Sequence, residues 1–287
     1  MKTLLHEDLR LIGLQLDKNI FPRVLNGGVV MPSKTAIPSI IMGEVSNDER
    51  RKRQKRPETR QGQRPPRWQG ETRGRRKTSG ATQVISSSIH EKYMDELVSL
   101  KEAYPGMKIW EQKDGMWLLC QSALIPNALH RAIFLCGIPF DPRKRVRSWG
   151  FWNEGVWIGP RHTNMPDGSI CAFEPSDGTW LPGDSIIKLL DIYTLWAVRH
   201  LHLQVLNRWP GAQVAHHAYE RLSELKEDEL CGCGSFTKKY GECCRPNDLR
   251  RDRVADATKF IFDGGADRKP PEDVMRFIDE KDTPPLL

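Results

Sequence analysis

The chain has 287 residues, with 44 Lys and Arg against 37 Asp and Glu for a formal charge of +7, and a hydrophobic fraction of 38%. That fraction is modest for a globule yet above the disordered range, so one core-forming domain is expected with residues to spare. No apolar run reaches the roughly 18 residues of a membrane span, and Glu7 and Asp8 break the N-terminal run before a signal-peptide core can form, which predicts a soluble, cytoplasmic protein without a membrane partner. The seven cysteines are odd in number and unevenly spread, which disfavours a disulfide framework and favours metal or thiolate chemistry.

Residues 1–49 open with Leu5, Leu9, Ile12 and Leu16 at helical spacing and continue without a clear period, a segment to which the sequence assigns no role. Residues 50–82 differ sharply. Between Arg50 and Gly80 stand 13 Lys/Arg and two acids, Glu58 and Glu71, for a local charge of +11 that leaves −4 for the remainder. With Trp68 as its single aromatic, this stretch is too poor in apolar side chains to fold alone and reads as a disordered basic linker. Its alternative role is non-specific, salt-sensitive binding of nucleic acid through phosphate contacts, although one aromatic makes no stacking ladder.

A domain is expected over 83–228. Ser86, Ser87 and Ser88 offer an N-cap, and Ile89, Tyr93, Leu97, Leu100 and Tyr104 recur at helical spacing until Pro105-Gly106. Short apolar runs at about 107–112, 116–124, 130–137, 145–152 and 155–159 are separated by turn signals. Their close spacing predicts an antiparallel meander of four to five strands, since parallel crossovers need a dozen or more residues. A polar loop over 161–183 follows, then a long buried helix over 185–206, and a polar helix at about 212–228 after Trp209-Pro210-Gly211. The order predicts an α+β fold with helices on one sheet face.

The loop reads His162-Thr163-Asn164-Met165-Pro166-Asp167-Gly168-Ser169-Ile170-Cys171, followed by Asp177 and Trp180-Leu181-Pro182. A lone cysteine is usually a small buried hydrophobe, and Cys120 and Cys136, inside apolar runs, read that way. Cys171 sits instead among Asp, Gly, Ser and Pro, where it is a candidate nucleophile. Near its ordinary pKa only about 3% is thiolate at pH 7, so a neighbouring cation such as Arg161 would assist it. The carboxamide of Asn164 is a candidate donor to an oxyanion, a role worth about 100- to 1,000-fold in rate.

Together these residues resemble the ubiquitin-conjugating enzyme family, with its His-Pro-Asn turn, Gly-x-Ile-Cys segment and Trp-x-Pro before a helix. Thr163 stands where the family has proline, and the spacing from Asn164 to Cys171 is one residue shorter. The resemblance implies an N-terminal helix, meander, active-site loop and C-terminal helices, with Cys171 accepting a ubiquitin-like protein as a thioester and passing it to a lysine of a protein target. It implies that His162 fixes the loop rather than acting as a base. Asp177 is a candidate for orienting the lysine. A separate activating enzyme would be the partner, because no adenylating signature occurs here. Relatives of this kind occur in bacterial antiphage and mobile-element operons. Two rival readings remain: a catalytically silent adaptor that binds protein or nucleic acid through the basic arm, and a hydrolase built on a Cys171–His162 hydrogen bond.

Over 229–247, Cys231-Gly232-Cys233 precedes Cys243-Cys244 with nine residues between the pairs. Four thiolates in so short a span can surround one Zn²⁺ tetrahedrally, with no position left open for catalysis, so a structural zinc is expected; a redox dithiol is the alternative. The pattern resembles the SEC-C zinc-binding motif, which implies a bacterial source. Residues 248–287 read as a helical and polar tail, with helix-like pieces at about 249–262 and 271–280.

Overall fold

The structure is a computed structural model, and the residues it describes are 23–25, 28–30, 79–122, 131–152, 155–173, 178–235, 237–265, 268–280 and 284–285. Most of 1–49, the basic stretch up to 78 and Asp177 lie outside them.

Two short antiparallel strands, β1 (Arg23–Leu25) and β2 (Gly28–Val30), precede helix α1 (Ser79–Ala103). Strands β3 (Lys108–Gln112), β4 (Gly115–Gln121), β5 (Ala132–Pro139) and β6 (Arg147–Trp152) follow. They form one antiparallel sheet in the order β3-β4-β5-β6. Helix α2 (Ile186–Leu206) and the shorter α3 (Ala218–Glu224), α4 (Arg245–Asp248), α5 (Arg253–Phe262) and α6 (Glu272–Glu280) complete the chain. The fold is thus α+β on a four-strand meander. Among the described residues no helix is long and apolar enough to cross a membrane.

The fifth run, 155–159, does not become a strand. It touches β6 through a single Phe151–Trp157 bridge, with Trp152 N–H donating to Val156 O (2.8 Å) and Ile158 N–H to Gly150 O (2.8 Å). Pro160, which has no N–H to continue a ladder, follows at once. Helix α1 also starts earlier than Ser86, and the polar helix expected over 212–228 shrinks to α3. Residues 214–215 are instead drawn into extended pairing, Val214 with Cys233 and Ala215 N–H with Gly232 O (2.8 Å).

The apolar stripe of α1, through Ile89, Tyr93, Leu100 and Tyr104, packs with Leu189, Leu190, Tyr193 and Trp196 of α2 over one face of the sheet, against Met116, Leu118, Phe134 and Ile138. Each such large side chain contributes about 1.5–3 kcal/mol on burial. Close approach is needed at β6, where a Cβ on Gly150 would stand 2.8 Å from Trp196 Cζ3. The helices were expected on one face alone, but the second face is covered too. Val274, Phe277 and Ile278 of α6 pack on Trp117, Leu119, Leu135, Trp149 and Phe151. The unbroken apolar run of β4, Met116 to Cys120, has the texture of a strand buried on both sides.

Helix α2 is anchored by α1. Ser185 Oγ accepts from Lys188 N–H (3.3 Å), and the Glu96 carboxylate accepts from Ser185 Oγ and from the N–H groups of Ile186 (2.9 Å) and Ile187 (3.2 Å). A negative group at these orphan donors also complements the helix dipole. Asn207 closes the other end in the left-handed conformation, φ 54°, donating to Leu203 O (2.7 Å). Replacing Glu96 by alanine is expected to cost about 1 kcal/mol. Thermal denaturation should show the midpoint fall by about 2–4 °C, and an unchanged midpoint would remove Glu96 from the anchoring of α2.

Candidate functional site

The outer edge of β6 would offer unpaired backbone groups to any passing strand, and the chain covers it twice. Segment 156–158 takes one part and Ile170, whose N–H donates to Ser148 O (2.7 Å), takes the other. Around Ile170 the loop folds into a narrow hairpin: Thr163 bridges Ile170, Asn164 N–H donates to Ser169 O (2.6 Å), and Cys171 N–H donates to His162 O (3.1 Å). Cys171 therefore stands across from His162, and Asn164 across from Ser169. Gly168, at φ 64°, turns the tip where a Cβ would lie 2.8 Å from the Lys269 backbone.

The tip is pinned at Asp167. Its carboxylate accepts from Arg147 Nη2 (2.7 Å), Ser169 N–H (3.0 Å) and Ser169 Oγ (2.8 Å), and its carbonyl accepts from Trp149 Nε1 (2.8 Å). Within this frame Ile170 is buried, Ala172 and Phe173 rest against the core, and Cys171 between them is half-buried. Asn164 is exposed, yet its Nδ2 donates to Ile170 O (3.0 Å) and Ser169 Oγ (3.2 Å). Both amide hydrogens are spent inside the hairpin, so in this geometry Asn164 holds the loop rather than facing a developing charge. Trp180 packs beside Phe173 with its Nε1 donating to Ser185 O (2.9 Å), while Pro182 lies in a turn ahead of the Ser185 cap.

His162 adopts φ 53°, an uncommon conformation for a residue with a Cβ. Its surroundings hold it there. The carbonyl accepts from both Cys171 N–H and Trp196 Nε1 (2.9 Å), the ring packs on Trp209 with centroids 3.9 Å apart, and Nε2 meets Gln213 Oε1 at 3.3 Å. Burial, then the charge of Arg161, hold its pKa well below the ordinary value, so the ring is neutral. These contacts suit an orienting residue, and they turn Nε2 toward Gln213, which weakens the hydrolase reading.

Arg161 does not serve as a free cation beside the thiol. Its side chain is 7% exposed and its Nη2 donates to Gln213 Oε1 (2.6 Å) and to Glu229 Oε2 (2.9 Å). Glu229, 2% exposed, also accepts from Trp209 N–H (2.5 Å) and Lys226 N–H (2.7 Å). Neither Gln213 nor Glu229 stands out in the sequence. The signal that could have marked Glu229 is its place just before Leu230-Cys231.

The four cysteines of the knuckle do converge. Their sulfurs lie within 4.8 Å of one another, with Cys233–Cys243 at 3.7 Å and Cys243–Cys244 at 4.0 Å. A tetrahedron with metal–sulfur bonds of about 2.3 Å has edges of about 3.8 Å, so this group can hold one metal ion. Burial, then the hydrogen bond and charge of Cys231, push Cys244 upward, whereas at Cys231 burial is outweighed by the backbone N–H groups of Cys233 and Cys244, which lower it. Positive φ at Gly234 (81°) turns the knuckle. Its floor is Tyr240, fully buried, whose hydroxyl donates to Asp248 (3.1 Å), itself gripped by Arg221 through two bonds of 2.7 and 2.8 Å.

No protein-family model, curated protein or solved structure matches this chain.

His200 supplies a pH prediction. It is 2% exposed between Trp196 and Trp209, and burial, with Arg161 adding to it, pushes its pKa down to about 3. The unfolded chain then binds the proton more readily, so stability is full above about pH 6.5 and falls as pH drops from there toward 3. His200 alone should lower the unfolding free energy by about 2 kcal/mol between pH 7 and pH 5, and His200→Gln should flatten that slope in denaturant titrations. Equal slopes in the two proteins would mean that this ring is not buried neutral.

Proposed function

We propose that the chain is a ubiquitin-conjugating-like acyl carrier, with Cys171 as the nucleophile and a zinc ion in the four-cysteine knuckle as a structural element. The observation that carries this reading is the presentation of one half-buried thiol by a hairpin clamped between β6 and α2, after the last strand of a four-strand meander. Residue types support it as well. A thiolate attacks the carbonyl of a donor thioester, expelling the donor thiolate and leaving the cargo on sulfur. A lysine amine then attacks that carbonyl, the carbon–sulfur bond breaks, the amine loses a proton to solvent or a nearby base, and an isopeptide bond remains.

On this reading the contribution of His162, Asn164, Asp167 and Ser169 is positioning. They fix the backbone leading into the thiol, so that attack requires little reorganisation of the loop. Asn164 would reach an oxyanion only by releasing Ile170 O or Ser169 Oγ. That engagement is the observation favouring the second reading, a silent adaptor that uses the same fold to bind a protein partner or, through its basic arm, nucleic acid.

The deciding experiment supplies ATP, a ubiquitin-like protein and its activating enzyme, and looks for an adduct that reductant removes. The parent chain is expected to load, Cys171→Ser to give a reductant-resistant ester or no adduct, and Cys171→Ala none. A thioester undiminished in Cys171→Ala would move the chemistry elsewhere, and absence of any adduct with a matched activating enzyme would favour the adaptor. The zinc assignment has its own check. Purified protein should contain about one zinc per chain, and Cys243→Ser with Cys244→Ser should abolish it; retention of stoichiometric zinc by that double variant would overturn the ligand set.

A further inference from the structure

Among the described residues, hydrogen bonds joined by short covalent steps link the four-cysteine centre to the hairpin that carries Cys171, with the Arg161–Glu229 pair buried at their middle. It begins in the knuckle, where Cys231 N–H donates to Lys238 O (2.9 Å) and Tyr240 N–H to Glu229 O (2.8 Å). These bonds fix the backbone of 229–231. From there Leu230 O accepts from Gln213 Nε2 (2.7 Å), and Gln213 Oε1 in turn accepts from Arg161 Nη2 (2.6 Å) and meets His162 Nε2 (3.3 Å). The Glu229 carboxylate takes the same guanidinium at 2.9 Å. The series ends at His162 O, which accepts Cys171 N–H at 3.1 Å.

The knuckle end cannot hold itself by burial. Its apolar cluster comprises only Ala215, Leu225, Cys231 and Tyr240, with Leu222, Cys243 and Cys244 partly buried against it. A core this small needs a metal or another staple. The thiol end, by contrast, joins the main core through Ile170 and Trp196. Between them stands a charge that tolerates little displacement: Arg161 and Glu229 are both sealed from water, so moving one leaves the other buried and unpaired.

We propose that metal occupancy of the four-cysteine centre holds the Cys171 hairpin in place, with Arg161, Gln213 and Glu229 as the positioning residues that transmit it. With the metal bound, Glu229 and Gln213 are fixed, Arg161 and His162 are fixed by them, and the backbone beside the thiol stays closed. Without it the knuckle opens, the guanidinium loses its carboxylate, and the hairpin loosens. The inference rests on the metal reading of the four cysteines and not on acyl transfer, so it can fail while Cys171 still loads, or hold while Cys171 proves silent.

The test uses the full chain, zinc-loaded or stripped with a chelator, with metal content measured. Two readouts follow the loop: hydrogen exchange at the Ile170 and Cys171 amides, and the rate at which iodoacetamide alkylates Cys171, read by peptide mass spectrometry. Stripping should raise both by roughly tenfold or more while β4 and β5 keep their protection, and re-addition of zinc should restore the parent values. Should stripping unfold the whole domain, the zinc-loaded Glu229→Gln variant decides. It should keep its zinc yet show the same loosening, which added zinc does not reverse, and Glu229→Asp, which retains a carboxylate, should lie closer to the parent. A chain that takes up no zinc overturns the inference at the outset. So does a stripped chain, or a zinc-loaded Glu229→Gln chain, in which both readouts stay at the parent values.

Discussion

A guanidinium taken out of water is tolerated only where its charge is met, and that requirement at Arg161 organises the region between the sheet and the knuckle. Glu229 supplies the charge, Gln213 a second acceptor, and the Trp209 ring lies under the group at 5.9 Å. Each partner is then held by others. Glu229 is fixed by the N–H groups of Trp209 and Lys226, and Gln213 by Leu230 O. Arg161 precedes His162 directly, so its anchorage adds to the contacts of the carbonyl and ring that hold His162 in its left-handed conformation. A buried pair of this kind contributes little net stability compared with apolar side chains of equal size. What it specifies is geometry, since displacing either partner leaves the other charge buried and unpaired.

The second constraint comes from the sheet. A four-strand meander leaves two faces and two edges to be covered, and apart from the share of one face taken by α1, the chain covers both faces and the β6 edge with segments that come after the strands. Helix α2 closes one face, α6 the other, and 156–158 with Ile170 shield the β6 edge. The tip of the hairpin is boxed in by the same late segments, with Gly264 against Pro166 and the Lys269 backbone against Gly168. Buried Arg268, paired with Glu220 at 2.6 Å and Glu224 at 2.5 Å, fastens that stretch to α3. The half-buried cysteine thus sits in a hairpin supported by the sheet, by α2 and by the C-terminal segment.

Those parts of the architecture that follow from local periodicity were legible in the sequence. The stripe from Ile89 to Tyr104, four of the strand runs and the long helix after Trp180 all rest on side chains whose burial is dictated by spacing alone. So does the convergence of Cys231, Cys233, Cys243 and Cys244, because a short segment with Gly232 and Gly234 has few ways to keep four thiols apart. What escaped are features set by tertiary partners. Residues 212–217 carry no signal that they extend along the knuckle instead of joining α3, and the second covering of the sheet needs α6, which is far away in sequence. Arg161 beside a cysteine reads naturally as an activating cation, and only the position of Glu229 shows that its charge is already spent. Asn164 is similar: a carboxamide near a nucleophile suggests an oxyanion donor, whereas its hydrogen bonds to Ile170 O and Ser169 Oγ depend on a hairpin that spacing does not reveal.

This distribution of roles bears on the chemistry open to Cys171. Arg161 spends its charge on Glu229, and the one imidazole next to the thiol in the ladder, His162, is held neutral with Nε2 turned to Gln213. Hydrolysis of a stable amide demands a proton to the leaving nitrogen and a persistent base, and these contacts offer neither. Thioester exchange demands less. The leaving group is itself a weakly basic thiolate, sulfur is a strong nucleophile, and the remaining requirement is that the sulfur be held where an incoming carbonyl can reach it. On the proposed reading, a hairpin whose polar atoms are occupied with one another would supply that placement through rigidity, and proton transfer would fall to the partners that deliver and receive the acyl group.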